Sequence, residues 1–297
     1  MRIFSALFSI LMLGLATTSY ATDAESGKSD AVAAMCKKIS SRLASVSYKE
    51  CASIHFHEPR FFSVNGEPIL ETHFAAKSTV TNPARILFIG GIHGDELSSV
   101  SVTFKWLNTL KKHHSGSFDW HFVPLANPDG LLRRPATRVN ANDIDLNRNF
   151  VPAAAELTPL EYWRQQAKKR KRYYPGMQPL SEPESKMIHR LIEEYNPTVI
   201  VSVHAPHGIL DFDGDKEPPR RLGPLYLRNL GTYPGSLGNY GWYVKNIPVM
   251  TIELQYAGIM PSPKDISRMW VDLVRWVRQK AQPDEQVAGG VDSKDKK

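Results

Sequence analysis

The sequence predicts an α/β fold, a mixed, largely parallel sheet with helices on both faces. Three observations carry that reading. Short continuous apolar runs recur, such as Ile86-Leu-Phe-Ile89 and Thr198-Val-Ile-Val-Ser-Val203, the mark of strands covered on both sides. Segments with apolar residues three and four apart separate them, as amphipathic helices require. Turn residues punctuate the joints. Strands alternating with helices build this class, and its binding sites lie beyond the carboxyl ends of the strands.

The elements follow in order along 297 residues. Residues 1–21 read as a secretory signal peptide, with a charged Arg2, an apolar run from Ile3 to Leu15 and small residues up to a cleavage point after Ala21. The product is therefore expected in the periplasm or outside the cell. Residues 22–60 form an N-terminal segment, polar and flexible to residue 30, then helical from Ala31 to Val46 through Val32, Met35, Ile39 and Leu43. Its two cysteines, Cys36 and Cys51, are expected to pair in an oxidising compartment.

Residues 61–282 make the main domain. Asn65-Gly66 is a hairpin turn signal between Phe62-Ser-Val and Pro68-Ile-Leu70. A buried strand runs from Arg85 towards His93, and a helix carrying Leu97, Val100, Phe104 and Leu107 follows at once. His121–Leu125 is a second strand and Asn127-Pro-Asp-Gly130 a turn. Ser181 and Glu184 form a capping box opening a helix through Met187, Ile188, Leu191 and Ile192. Strands end at His204 and near Glu253, and a last helix spans Ile266 to Val277. The polar tail 283–297 is expected to be disordered.

A formal net charge of +7 favours acidic partners without choosing among them. Lys168-Lys-Arg-Lys-Arg172 reads as solvated surface, not as a nucleic-acid site. No stretch of the mature chain is long and apolar enough for a transmembrane segment.

The reactive side chains fall where strands end. His93 and Glu96 stand in an H-x-x-E turn at the end of the first buried strand, with Gly94 allowing the chain to bend between them. His204 ends another strand. Two imidazoles and one carboxylate are a hydrolytic zinc set that leaves a position open for water. A lone H-x-x-E is weak, because such pairs arise by chance. The strand-end placement of all the parts together is what raises it.

Gly90-Gly-Ile-His-Gly-Asp-Glu96, Asn127-Pro-Asp-Gly130, Thr137-Arg138, Asp145-Leu-Asn-Arg-Asn-Phe150, Ser202-Val-His204 and Thr251-Ile-Glu-Leu254 occur in the order seen in zinc carboxypeptidases. The chain resembles that family from Phe62 to Leu254. The resemblance implies a zinc-carboxypeptidase-like fold and one Zn²⁺ held by His93, Glu96 and His204. It makes Glu253 the general base, Arg138 the stabiliser of the oxyanion, and Asn147 and Arg148 the binders of the released carboxylate. Tyr233 stands where the family often carries a substrate-binding tyrosine.

Tyr173-Tyr-Pro-Gly176, Ser181-Glu-Pro-Glu-Ser185 and the short His204-Ala-Pro206 passage are similar to one bacterial branch, the murein tripeptide amidases and related D,L-carboxypeptidases. The branch implies a murein peptide substrate cut between γ-D-glutamate and diaminopimelate. Rival readings are an ordinary zinc carboxypeptidase on L-peptides and a wall-peptide-binding module without catalysis. His207 is a weaker alternative metal ligand. Asp211, Asp213 and Asp215 lack an EF-hand pattern and read as a polar rim; Asp211 or Asp213 is a candidate partner for a substrate amino group.

Overall fold

The computed structural model describes residues 22–154 and 157–281. The signal-peptide and tail assignments therefore lie outside the described residues. The chain opens with α1 (Thr22–Arg42) and α2 (Tyr48–Ala52). α1 is continuous from Thr22, so the stretch expected to be flexible is helical. It stops at Arg42, short of Val46, where the chain turns so that Leu43 and Val46 still reach the core. Cys36 and Cys51 are joined by a disulfide that ties α1 to α2.

β1 (Thr72–Phe74), β2 (Arg85–Gly90), α3 (Leu97–His113), β3 (Asp119–Val123) and α4 (Pro128–Leu132) follow. Next come α5 (Pro159–Gln165), α6 (Pro183–Tyr195), β4 (Val199–His204), β5 (Ile209–Asp213), β6 (Arg221–Leu222) and β7 (Leu225–Leu227). α7 (Leu237–Asn239), β8 (Val249–Glu253) and α8 (Pro263–Lys280) complete the domain. Among the described residues, eight strands form one sheet in the order β1-β3-β2-β4-β8-β5-β7-β6. The centre, β3-β2-β4-β8, is parallel, while β1 and β5 join it antiparallel.

The continuous apolar run of β2 is explained by the layers on either side. Ile86 and Phe88 face one layer with Val100, Phe104 and Leu107 of α3 and Leu273 and Val277 of α8. Leu87 and Ile89 face the other layer with Met187, Ile188 and Leu191 of α6. Alternate side chains leave opposite faces of a strand, so a strand roofed twice is apolar at every position. Phe88 stacks on Phe122 of β3 with centroids 4.5 Å apart and meets Trp106 edge-on at 5.5 Å. Truncating a buried aromatic of this kind costs about 3–5 kcal/mol.

Several local expectations change. The capping box at Ser181 does not form. Glu182 is the N-cap residue, without a side-chain capping bond, and Pro183 takes the first helical turn. Glu184 turns inward instead, accepting from the Val64 N–H (3.2 Å) and from Asn140 Nδ2 (3.1 Å). Burial pushes its carboxyl up to about 7. Asn127-Pro-Asp-Gly130 is not a free turn but the start of α4, where Asn127 Oδ1 accepts from the Gly130 N–H at 2.9 Å. The Asn65-Gly66 turn forms as expected, with Gly66 at φ +78° and its N–H donating to the Ser63 carbonyl at 2.9 Å. Its arms are too short for named strands and meet in one bridge, Phe62 with Pro68.

Candidate metal centre and active site

β2 ends at Gly90, so His93 lies in the loop beyond it rather than on the strand. Gly91 takes φ +61°, which turns the chain off the sheet. Gly94 serves a different purpose from the bend expected of it: a Cβ there would come within 2.2 Å of the Gly130 backbone, so only glycine lets the loop lie against α4. Glu96 is the N-cap residue of α3, yet its side chain makes no capping bond. It points at the histidines instead.

His93, Glu96 and His204 come together, all buried, with one donor atom from each within 4.8 Å of the others. His93 Nδ1 lies 2.7 Å from Glu96 Oε1, and His204 Nδ1 lies 3.1 Å from Glu96 Oε2 and 3.1 Å from His93 Nδ1. A tetrahedral zinc with ligands at about 2.0–2.1 Å keeps those ligands roughly 3.3 Å apart, so the spacing fits. Two ring nitrogens turned towards one another also require a cation or proton between them. The far nitrogens are occupied: His93 Nε2 by Asp145 Oδ1 at 3.1 Å, and His204 Nε2 by Ser202 Oγ at 2.9 Å. This second contact on each ring orients the Nδ1 atoms inward. Burial opposes the charge on Glu96, but the imidazoles outweigh it and hold the carboxyl well below its usual range.

Glu253 ends β8 directly beside His204, its register partner on β4. Its Oε2 lies 3.4 Å from the His207 N–H. His207 lines the cavity but is outside the metal-ligating group. Arg138 donates from Nε to Asp145 Oδ2 at 2.9 Å and brings Nη1 within 3.5 Å of Glu96 Oε1. Burial disfavours its charge, but Asp145 and Glu96 raise its pKa.

Asn147 Oδ1 accepts from the Leu237 N–H at 2.8 Å, which leaves its amide nitrogen as the end that can donate. The Arg148 guanidinium stacks 4.5 Å over the Tyr233 ring. Tyr233 in turn meets Tyr162 edge-on at 5.7 Å and is partly exposed. All these side chains line one cavity of about 550 Å³.

Two functional positions lay unassigned in the motifs. Asp145 heads the Asp145–Phe150 motif and links His93 to Arg138. Ser202 stands two residues before His204, on the same face of the strand. Asp211 and Asp213 are not a rim loop: they sit on β5, a strand the sequence reading missed, and both line the cavity. Asp211 accepts from the Leu230 N–H at 3.0 Å. Burial, and then the neighbouring Asp211, push Asp213 up to about 7.

The zinc carboxypeptidase family model matches residues 62–220. The chain belongs to the zinc carboxypeptidase family. It is accordingly a zinc-dependent hydrolase, and the His-Glu-His group supplies the donors for one zinc ion. Glu253 lies beyond the matched stretch, and the β4–β8 pairing is what brings it to the site.

Murein peptide amidase A of Escherichia coli is 30% identical over 201 residues, 64% of this chain and 79% of the relative. The protein of that name from Vibrio campbellii is 31% identical over 202 residues, 65% of this chain and 76% of the relative. Among solved structures, murein-tripeptide amidase from Escherichia coli aligns with a TM-score of 0.51 at 27% identity, covering 77% of this chain and 93% of that one. Carboxypeptidase A from Helicoverpa armigera aligns with a TM-score of 0.58 at 16% identity, over 76% and 68% of the two chains, which is likeness of fold alone.

Proposed function

We propose that this zinc hydrolase is an exported amidase that acts on peptidoglycan stem peptides, cutting the bond between the γ-carboxyl of D-glutamate and diaminopimelate. The observation that carries the substrate reading is the acidic end of the cavity. Asp211 and Asp213 stand there, and the Asp213 carboxylate makes no hydrogen bond among the described residues. A carboxylate pair of this kind suits a leaving residue whose side chain carries an ammonium group, as the far end of diaminopimelate does beside its second carboxylate. The names of the two amidase relatives support the same substrate class. The Cys36–Cys51 disulfide and the signal-like first 21 residues support export.

The chemistry divides among residues as follows. Zinc held by His93, Glu96 and His204 would polarise the scissile carbonyl and acidify a water molecule. Glu253 takes the proton of the attacking water and returns it to the leaving nitrogen. Arg138, fixed by Asp145, offers a preorganised cation to the developing oxyanion. The Asn147 amide and the Arg148 guanidinium bind the free carboxylate of the leaving residue, with Tyr233 supporting Arg148.

The test is product analysis. The zinc-loaded protein is incubated with L-Ala-γ-D-Glu-diaminopimelate and with ordinary L-peptides, with and without chelator. Release of diaminopimelate that the chelator abolishes is the expected result. Cleavage of L-peptides alone would replace the murein reading with that of an ordinary carboxypeptidase, and binding without turnover would indicate a non-catalytic module.

A further inference from the structure

The run Lys168–Arg172 is solvent-exposed at every position, as its composition implies, yet it also borders the catalytic cavity. Lys168, Arg170 and Arg172 line the same cavity as the metal-ligating residues. The segment is pinned at several points. Trp163 Nε1 donates to the Arg170 carbonyl at 2.8 Å, and the Trp163 ring meets Tyr174 edge-on at 5.0 Å. The Arg138 guanidinium lies 5.4 Å from the centre of the Tyr173 ring. Arg172 Nη1 donates to Asp95 Oδ2 at 3.0 Å. Asp95 is the residue immediately before the ligand Glu96, so Arg172 is moored to the turn that carries two of the three ligands.

The sheet gives the cavity a direction. Reading across it, β5 carries Asp211 and Asp213, β8 carries Glu253, β4 carries His204, and β2 leads into His93, Asp95 and Glu96. Adjacent strands stand about 4.8 Å apart. The acidic end and the Arg172 end are therefore on opposite sides of the metal-ligating group. If the leaving residue occupies the β5 side, Arg172 faces the acyl half of the substrate.

The acyl half of a γ-glutamyl amide differs from that of an ordinary peptide. In an α-linked peptide the α-carboxyl group is consumed in the scissile amide. In the γ-linked form it remains free, an anion three carbons from the scissile carbonyl. A guanidinium is the side chain best shaped to pair with it.

We propose that Arg172, flanked by Lys168 and Arg170, is a specificity-determining residue that pairs with the free α-carboxylate on the acyl side of the scissile bond. The cavity then reads a carboxylate three carbons from the scissile carbonyl, a charge that peptides with a non-acidic residue on the acyl side lack. This rests on the γ-glutamyl substrate reading given above. Lys168 and Arg170 add attraction to the same anion, while the mooring on Asp95 sets where Arg172 can reach.

The test uses two tripeptides that differ at one group: L-Ala-γ-D-Glu-diaminopimelate, and the same peptide with the glutamate α-carboxylate amidated. The zinc-loaded protein and its Arg172→Ala and Arg172→Lys variants are compared on both by kcat/KM. The wild type is expected to favour the free carboxylate by about tenfold, in keeping with a hydrogen bond to a charged group. Arg172→Ala should erase the difference between the two peptides, and Arg172→Lys should restore part of it. Equal rates of the wild type on both peptides, or an undiminished preference in Arg172→Ala, would overturn this inference and leave the γ-glutamyl reading standing. A wild type that cuts neither tripeptide while cutting ordinary peptides would overturn both.

Discussion

Asp145 Oδ1 sits 3.1 Å from Nε2 of His93, on the side of the ring away from Glu96 and His204. The same carboxylate group holds Arg138 through its other oxygen. One buried aspartate thus sets both the direction of a metal ligand and the place of the Arg138 guanidinium beside it. Burial opposes its charge, but Arg138 and His93 hold its carboxyl far below the ordinary range. Asp145→Asn should weaken zinc binding by about 10–100-fold, because the ring loses the charged acceptor that fixes its orientation and raises its basicity. Competition titration with a zinc chelator measures this, and unchanged zinc affinity would refute the orienting role.

Glu253 stands beside His204 but outside the ligand group. Glu253→Gln should therefore keep its zinc while losing roughly 10²–10⁴-fold in kcat. His93→Ala and His204→Ala should lose the metal as well. Zinc content by mass spectrometry, read next to turnover, separates the two behaviours.

Burial and the neighbouring Asp211 push the Asp213 carboxyl up to about 7, so it changes charge near neutral pH. The second negative charge of the Asp211–Asp213 pair appears as pH rises through that value. KM for a substrate with an ammonium on the leaving side chain should then fall as pH increases through about 7, and Asp213→Asn should flatten that slope. A leaving residue with a neutral side chain should show no such slope in either protein.

Glu184 couples stability to pH. Its carboxyl is raised from 4.5 to about 7 in the folded protein, chiefly by burial. A raised acid favours the folded state below its unfolded pKa, and that contribution is lost as pH rises through the folded pKa. The shift corresponds to an effect on the order of 3 kcal/mol. Wild-type stability in urea should fall more between about pH 5 and about pH 8 than that of Glu184→Gln, whose side chain does not ionise.

The Cys36–Cys51 bond closes a loop with a sequence separation of 15. Replacing both cysteines by alanine should cost about 3 kcal/mol in the chain-entropy model. Denaturation of the variant, compared with oxidised wild type, checks the value, and reduced wild type should match the variant. Activity per folded molecule should be retained, because neither residue lines the cavity.

Much of this was legible along the chain, because it depends on local physics. The uninterrupted apolar runs of β2 and β4 announce strands roofed on both faces, and the amphipathic spacing of α3 and α8 announces their covers. The donor types at His93, Glu96, His204 and Glu253 are readable as chemistry before any fold is known. The errors were also local. Ser181 and Glu184 match a capping box, but a buried carboxylate with two internal donors found a better arrangement. β5 reads as a polar loop because two of its five residues are aspartates, and a strand that lines a cavity need not be apolar on that face.

Which side chains share an ion, and in what order they stand across the cavity, were decided only in three dimensions. His93 and His204 are 111 residues apart in sequence yet 3.1 Å apart in space. That meeting depends on β4 pairing with β2 and β8 pairing with β4. Residue types along a chain state what each group can do, but strand pairing between distant segments sets which groups meet, and it placed Asp213 at one end of the cleft and Arg172 at the other.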